Sequence, residues 1–160
     1  MRILAAMTLL CGLLTFSIWA QTPAKKAVPA EAPGVKVVTA SELSALVAKQ
    51  PGDQNAFQAF IELAPYSVSM EHRVKGQGAA VHEKDAELFY VIDGSGTLVT
   101  GGKLVDEKRT NESNLSGTSI QGGASRKVSK GDWIIVPEGV PHQFPTVEGL
   151  TLMSLHLPRK

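Results

Sequence analysis

The sequence predicts an all-β domain, arranged as a barrel or sandwich, with one short helix before it. After residue 54, short apolar or alternating runs are separated by turns rich in Gly, Pro and Asn, which is the pattern of many short strands. Helical spacing of apolar residues is clear in one segment, at about 39–50. The chain has 160 residues, enough for a single domain with a hydrophobic core.

The N-terminus is typical of a secretory signal peptide. Arg2 supplies a positive charge, an apolar segment follows at 3–19, and Ala20 precedes the polar Gln21. The apolar segment is short for a membrane span, so cleavage near Ala20 is favoured over an uncleaved anchor. We therefore expect residues 1–20 to be removed, leaving a periplasmic or secreted protein without membrane contact.

A linker is predicted next. Residues 21–35 contain Pro23, Pro29 and Pro33 among small and polar residues, a composition typical of a disordered linker. The folded domain is then expected at 36–160, with its barrel at about 54–158.

Charge and cysteine content exclude several classes of protein. Removing residues 1–20 takes away one basic residue, Arg2, and no acidic one, which leaves 15 basic against 15 acidic residues. A chain without net charge is not a general nucleic-acid binder. The single cysteine, Cys11, lies within the predicted signal peptide, so the mature chain has neither disulfide nor thiol chemistry.

The predicted helix begins at a capping box. Thr39 is the expected N-cap, and Glu42 lies where its side chain can reach back to the cap. Apolar residues follow at 43, 46 and 47, and Pro51 ends the pattern.

The strands are predicted from alternation and from β-branched or aromatic runs. Gly76 and Gly78 indicate a turn after the second strand, and residues 93–96 (Asp-Gly-Ser-Gly) indicate another. The predicted strands are 56–63, 66–73, 88–92, 97–100, 133–136 and 150–157.

Residues 103–130 contain few large apolar side chains and are predicted as a long loop. Such loops are either functional lids or disordered. Glycosylation acceptor patterns begin at Asn111 and Asn114, but this pattern often occurs by chance and carries little weight.

Two segments about fifty residues apart carry the residues that suggest chemistry. They offer His82, Glu87 and His142, a ligand set suited to a divalent transition metal. Period-two geometry puts Glu87 on the same strand face as Phe89 and Val91, so its carboxylate is buried if that face points inward. A buried carboxylate without a cation or hydrogen-bond donors is costly.

The spacing within these segments resembles the two motifs of the cupin superfamily. The first has His82, four residues, Glu87, six residues and Gly94. The second has Gly131, five residues, Pro137, one residue, Gly139, two residues and His142, with Thr146 where the family pattern ends in Asn. The resemblance covers about residues 80–146 and implies a single jelly-roll-like cupin barrel with His82, Glu87 and His142 directed inward to hold a metal.

The chain departs from the family pattern at Ala80, where a further His is expected. Residues 80 and 82 share a strand face, but Ala80 supplies no ligand. The site is then either a set of two His and one carboxylate with open positions, or one whose metal binding is weakened or lost. We favour retained binding, because the other three ligands are intact.

Other side chains have simpler interpretations. His72 and His156 are candidates to replace the missing ligand, although each is better explained as a structural or rim histidine. Glu71 and Arg73 are predicted to form an exposed ion pair of small energetic value, with a role in anchoring substrate or a partner strand as the alternative. Two further aromatic residues, Trp133 and Phe144, are predicted to lie in the core or at an interface.

The leading hypothesis is a metal-binding cupin that acts on a small molecule at one divalent ion, which could be Fe, Mn, Zn or Ni. Oxygenase, isomerase and lyase reactions remain open, and whether the protein is an enzyme is itself undecided. The alternative is a non-enzymatic sensor or carrier of a small ligand with a degraded metal site. The apolar face formed by Leu88, Tyr90 and Ile92, with exposed strand edges, is consistent with a homodimer.

Overall fold

Strands make up most of the part of the chain that the computed structural model describes, residues 33–159. The predicted signal peptide at 1–20 and most of the predicted linker at 21–35 lie outside the described residues. Among the described residues, no helix has both the length and the apolar character needed to cross a membrane.

One helix, α1 (Ala40–Ala48), precedes the strands. Thr39 caps it: the Thr39 hydroxyl accepts from the Glu42 backbone N–H, and the Glu42 side chain accepts from the Thr39 backbone N–H at 2.8 Å. Both bonds satisfy N–H groups that a helix start leaves without partners. The predicted helix and its capping box are confirmed.

The strands of the described region follow in one series. They are β1 (Ala56–Leu63), β2 (Tyr66–Arg73), β3 (Ala79–His82), β4 (Asp85–Thr100), β5 (Lys103–Val105), β6 (Lys108–Arg109), β7 (Asn114–Gly117), β8 (Ser119–Gln121), β9 (Ala124–Ser129), β10 (Trp133–Val136) and β11 (His142–Pro158). Within residues 33–159, the prediction of an all-β domain with one short helix before it is confirmed.

The long strand β11 is central to the antiparallel arrangement. It pairs with β2 through its second half, with β3 at His142, and with β4 along most of its length. Strand β4 also pairs with β9 and β10, and β3 also pairs with β7. These pairings join segments far apart in sequence, as a closed barrel-like sheet requires.

The turn predicted at 93–96 is wrong, because β4 continues through it as one strand. Gly94 has φ +74°, and a Cβ there would lie 2.2 Å from the Gly149 carbonyl oxygen of β11. The β4–β11 register shifts nearby, between Glu148 and Thr151. Glycine is therefore required here by a β-bulge and a close backbone approach within one strand, and it does not mark a turn between two strands.

The loop predicted at 103–130 is also wrong. This segment forms the five strands β5 to β9, of which β7 pairs with β3, β9 pairs with β4, and β5 pairs with β8. The side chains of β9 are mostly exposed, so the segment needs few large apolar residues. Its structure comes from pairing with distant strands, which local composition does not reveal, and this ordered pairing contradicts its interpretation as a lid or a disordered loop.

The core lies between the inward faces of β4, β9, β10 and β11. Alternation along β4 buries Glu87, Phe89 and Val91, as predicted. Phe144 is fully buried, but Trp133 is 61% exposed, so the core interpretation of that residue is wrong. The buried apolar cluster consists of Phe89, Val91, Leu98, Val128, Val136, Phe144, Leu150 and Leu152.

The outward side of the same sheet carries an apolar groove. Leu88 and Tyr90 of β4 line it together with Trp133, and the Tyr90 and Trp133 rings lie 4.6 Å apart. The predicted second apolar face of β4 is thus present. The homodimer that this face suggested stays a prediction.

Candidate metal centre

Three strands bring the predicted ligand residues together. His82 is the last residue of β3, Glu87 lies near the start of β4, and His142 is the first residue of β11. Strand β11 is held against both β3 and β4, so the pairing of these strands fixes the three side chains relative to one another.

The three side chains converge on one point. His82 Nε2 lies 3.2 Å from Glu87 Oε2, and His142 Nε2 lies 3.1 Å from the same oxygen. One ligand atom from each residue can be chosen so that all three lie within 4.8 Å of one another. Ligands about 2.1 Å from a shared ion are separated by about 3 Å when they are adjacent, so this spacing fits one metal ion.

The other nitrogen of each imidazole is tied to an acceptor. His82 Nδ1 lies 2.9 Å from Asn114 Oδ1, and His142 Nδ1 lies 3.3 Å from the Val140 carbonyl oxygen. Both partners only accept, so each Nδ1 carries the proton. This arrangement orients each ring and leaves Nε2 for a metal, as is usual for histidine ligands.

The convergence requires a positive charge between these atoms. In the neutral form with Nδ1 protonated, each Nε2 presents a lone pair to the Glu87 carboxylate. Lone pairs that face an anionic oxygen at about 3 Å repel one another unless a cation or added protons intervene. A second proton on the imidazoles or a divalent ion satisfies this requirement, and the donor set of two nitrogens and one oxygen suits a transition metal.

Electrostatics keep the carboxylate ionised. Burial by itself raises the pKa of Glu87, but its contacts with His142 and His82 outweigh burial and lower it to about 2. Burial likewise lowers the pKa of His82, but its contacts with Glu87 and Asn114 outweigh that effect and raise it. Glu87 therefore keeps a fixed negative charge at neutral pH.

Neither alternative histidine joins this group in the described part of the chain. His72 Nδ1 forms a 2.9 Å hydrogen bond with Thr151 Oγ1 and lies outside the cluster. His156 Nε2 lies 3.6 Å from Glu87 Oε1, whereas the other two imidazoles approach Oε2. Its ring packs edge-on against His82, with 4.7 Å between ring centroids. His156 is thus a neighbour of the carboxylate.

A small cavity opens beside the cluster. Its volume is about 220 Å³, and Ala80 lines it together with His82, Glu87 and His142. Ala80 pairs with His142 in the sheet, so the position where the family pattern has a further His does face this site. A larger cavity, about 430 Å³, lies between α1 and β1, away from the cluster.

The prediction of an exposed Glu71–Arg73 pair is wrong. Each side chain is only 11% exposed, and both line the cavity beside the three candidate ligands. Alternation placed them opposite His72, as observed, but it did not show which face of β2 was inward. Strand β2 is covered on both faces near its middle, where Ser69, Met70 and Glu71 are all buried.

Asn114 is a functional candidate that the sequence did not reveal. It lies directly opposite His82 in the β3–β7 pairing, within the segment predicted as a loop. The available signal was the glycosylation pattern at Asn114, which suggests a different role. Only the pairing of β7 with β3 connects Asn114 to the imidazole.

Comparison with known proteins supports the fold. No family model and no curated protein sequence matches the chain. A crystal structure of a Bacillus halodurans protein matches with a TM-score of 0.53 and 17% identity, over 83% of this chain and 88% of that one. Identity at this level shows the fold alone.

Two further solved structures are similar at lower scores. KdgF of a Halomonas species has a TM-score of 0.49 and 15% identity, over 70% of this chain and 87% of that one. An RmlC-like cupin of Desulfovibrio desulfuricans has a TM-score of 0.45 and 15% identity, over 68% of this chain and 86% of that one.

Proposed function

The chain has a cupin-type fold, and on that premise we propose that it binds one divalent transition metal and acts on a small molecule there. His82, Glu87 and His142 would be the protein ligands. Fe, Mn, Zn and Ni all suit two imidazoles and a carboxylate. A bound ion would supply Lewis-acid or redox chemistry at positions left open to a substrate.

The observation that carries this proposal is that the imidazoles of His82 and His142 point at the same carboxylate oxygen of Glu87. Both Nε2 atoms lie within 3.2 Å of one carboxylate oxygen, while both Nδ1 atoms are tied to acceptors. Histidines that served only packing would not need this alignment. The adjoining cavity gives a small molecule direct access to the cluster.

A second candidate function is the binding of a small ligand without turnover. Ala80 favours it, because the position adds cavity space where the family pattern adds a ligand. The two functions differ in what happens to a small molecule bound to metal-loaded protein. A binding module releases it unchanged, whereas an enzyme releases a product.

We also propose that the protein is exported and acts in the periplasm or outside the cell. This part rests on the sequence of residues 1–20, with its basic start, apolar segment and Ala20. Analysis of the N-terminus of the mature protein tests it, since export with cleavage predicts a chain that begins near Gln21.

The metal site is tested by substituting one ligand and one matched histidine. We expect His142→Ala to lower bound metal at least tenfold, because it removes one of three protein ligands. His72→Ala is the control, since His72 bonds to Thr151 and lies outside the cluster. Elemental analysis gives metal content, and circular dichroism checks that the β fold remains. Equal metal content in the wild type and His142→Ala would refute the site.

A further inference from the structure

We infer that Arg73 is an anion clamp that binds a carboxylate group of the small molecule, so that the ligand class is a small organic acid. This inference rests on the proposed function, because the same cavity joins Arg73 to the metal ligands. The argument depends on how the guanidinium is held, on the charges of the cavity and on its size.

The guanidinium of Arg73 is held along one edge and one face. Its Nε and Nη2 donate to Glu71 Oε2 at 3.1 Å and 2.5 Å. Its central carbon lies 4.8 Å from the centre of the Phe144 ring, a cation–π distance. Phe144 is fully buried, so this support is rigid.

The remaining edge of the guanidinium is available. A guanidinium offers five N–H donors in a planar fork, and its Nη1–Nη2 edge can bind a carboxylate through two parallel hydrogen bonds. Within residues 33–159, Nη1 forms no hydrogen bond, and no fully buried side-chain nitrogen or oxygen lacks a partner. Nη1 is therefore accessible, on a residue that lines the cavity.

The charges of the cavity favour an anionic ligand. Glu71 and Arg73 offset each other, which leaves Glu87 as the uncompensated carboxylate before a cation binds. A divalent ion at the cluster then makes the cavity positive by one charge. This charge attracts an anionic ligand, and Arg73 is the cation already oriented to receive a carboxylate.

The cavity limits the size of the ligand. Its volume of about 220 Å³ equals the space of about seven waters, at about 30 Å³ each. A short-chain organic acid fits, with its carboxylate on Arg73 and an oxygen at its other end facing His82, Glu87 and His142. Gln143 also lines the cavity and is fixed by its amide, which donates to the Gln77 carbonyl oxygen at 2.9 Å.

Calorimetric titration of the Zn-loaded full chain tests the clamp. The probes are malonate, succinate and glutarate, each compared with its uncharged diamide. We expect at least one of the diacids to bind and the diamides not to bind. Arg73→Met should weaken diacid binding at least tenfold, because hydrogen bonds between charged groups are among the stronger ones.

Glu71→Gln gives an effect in the opposite direction. It leaves Arg73 in place but removes the negative charge that offsets the guanidinium, so diacid binding should become several-fold tighter. A residue with only a structural role would not give opposite shifts in the two variants. Equal affinity in the wild type and Arg73→Met, equal binding of diacids and diamides, or no binding of any diacid would overturn the inference.

The same variant separates this inference from the metal proposal. In metal-free Glu71→Gln the guanidinium lacks its internal partner, so it should bind acetate without any metal, and the double variant with Arg73→Met should not. The metal content of the wild type, measured by elemental analysis, tests the metal proposal independently. Acetate binding that is the same with and without Arg73 would exclude the clamp, whatever the metal content.

Discussion

At the scale of single residues, Asn114 illustrates how a side chain outside the metal cluster acts on it. Its amide oxygen accepts from His82 Nδ1 at 2.9 Å and so fixes both the tautomer and the ring orientation. Loss of such a partner typically costs 10- to 100-fold in metal affinity, by order of magnitude.

Asn114→Ala should therefore weaken metal binding at least tenfold while the fold persists. The control is Asn111→Ala. In the wild type, the Asn111 amide oxygen accepts from the Ser113 backbone N–H within the same segment and does not contact His82. Competitive titration with a chelator measures both affinities. A similar loss in the two variants would assign the effect to the segment and contradict the role of Asn114.

Ala80 allows a test by gain of a ligand. Ala80→His places an imidazole on the face that already carries His82, opposite His142 in the sheet. We expect metal to bind at least tenfold more tightly, because a fourth protein ligand replaces solvent. Ala80→Leu is the control, since it fills the same space without a donor, and chelator competition measures both. Equal affinities in the two variants would contradict this placement of residue 80.

Ionisation of Glu87 predicts how the metal-free protein responds to acid. Its pKa is lowered from an ordinary 4.5 to about 2, so its contribution to stability is present above pH 4.5 and is lost as pH falls towards 2. The loss is on the order of 3 kcal/mol, from a shift of about 2.5 pH units at 1.36 kcal/mol per unit. Urea unfolding from pH 5 to pH 2.5 should show the wild type approaching Glu87→Gln in stability as pH falls. If the stabilities of the wild type and Glu87→Gln changed in parallel with pH, the lowered pKa of Glu87 would be contradicted.

At the scale of elements, the close approach of β4 and β11 depends on glycine. Gly94→Ala meets both a left-handed backbone and a Cβ 2.2 Å from the Gly149 oxygen. Gly101→Ala is a matched control, because Gly101 has the same φ of +74° but nothing within 4 Å of its added Cβ. We expect about 1 kcal/mol of destabilisation at Gly101 and clearly more at Gly94, measured by urea unfolding. Equal losses of stability in the two variants would show that β11 accommodates the added Cβ at position 94 without a further loss of stability.

Elements were predictable where the signal is local. The capping box of Thr39 and Glu42 identified α1, and alternation along 88–92 separated the two faces of β4 that the structure shows. The turn at 93–96 and the loop at 103–130 were wrong, because β11 and β3 impose strand pairing on segments whose own composition favours turns. For the same reason, the sequence pattern predicts an exposed Arg73, whereas the arrangement of β2 puts it beside the cluster.

At the scale of the whole molecule, the sheet carries two faces with different characters. The inward face joins the apolar core to the cluster of His82, Glu87 and His142. The outward groove beside Trp133 is apolar and exposed. The motif spacing predicted which residues converge within the barrel, and the three candidate ligands do so. Asn114 and Arg73 lie outside the two motifs, so the spacing gave no indication of their roles.

The most direct test of the central claim is elemental analysis of the protein purified from its native compartment. Three converging ligands and tethered Nδ1 atoms predict about one equivalent of a divalent transition metal per chain, lost in His142→Ala. A wild-type protein that is folded and stable but contains no such metal, and takes none up on titration, would contradict the account.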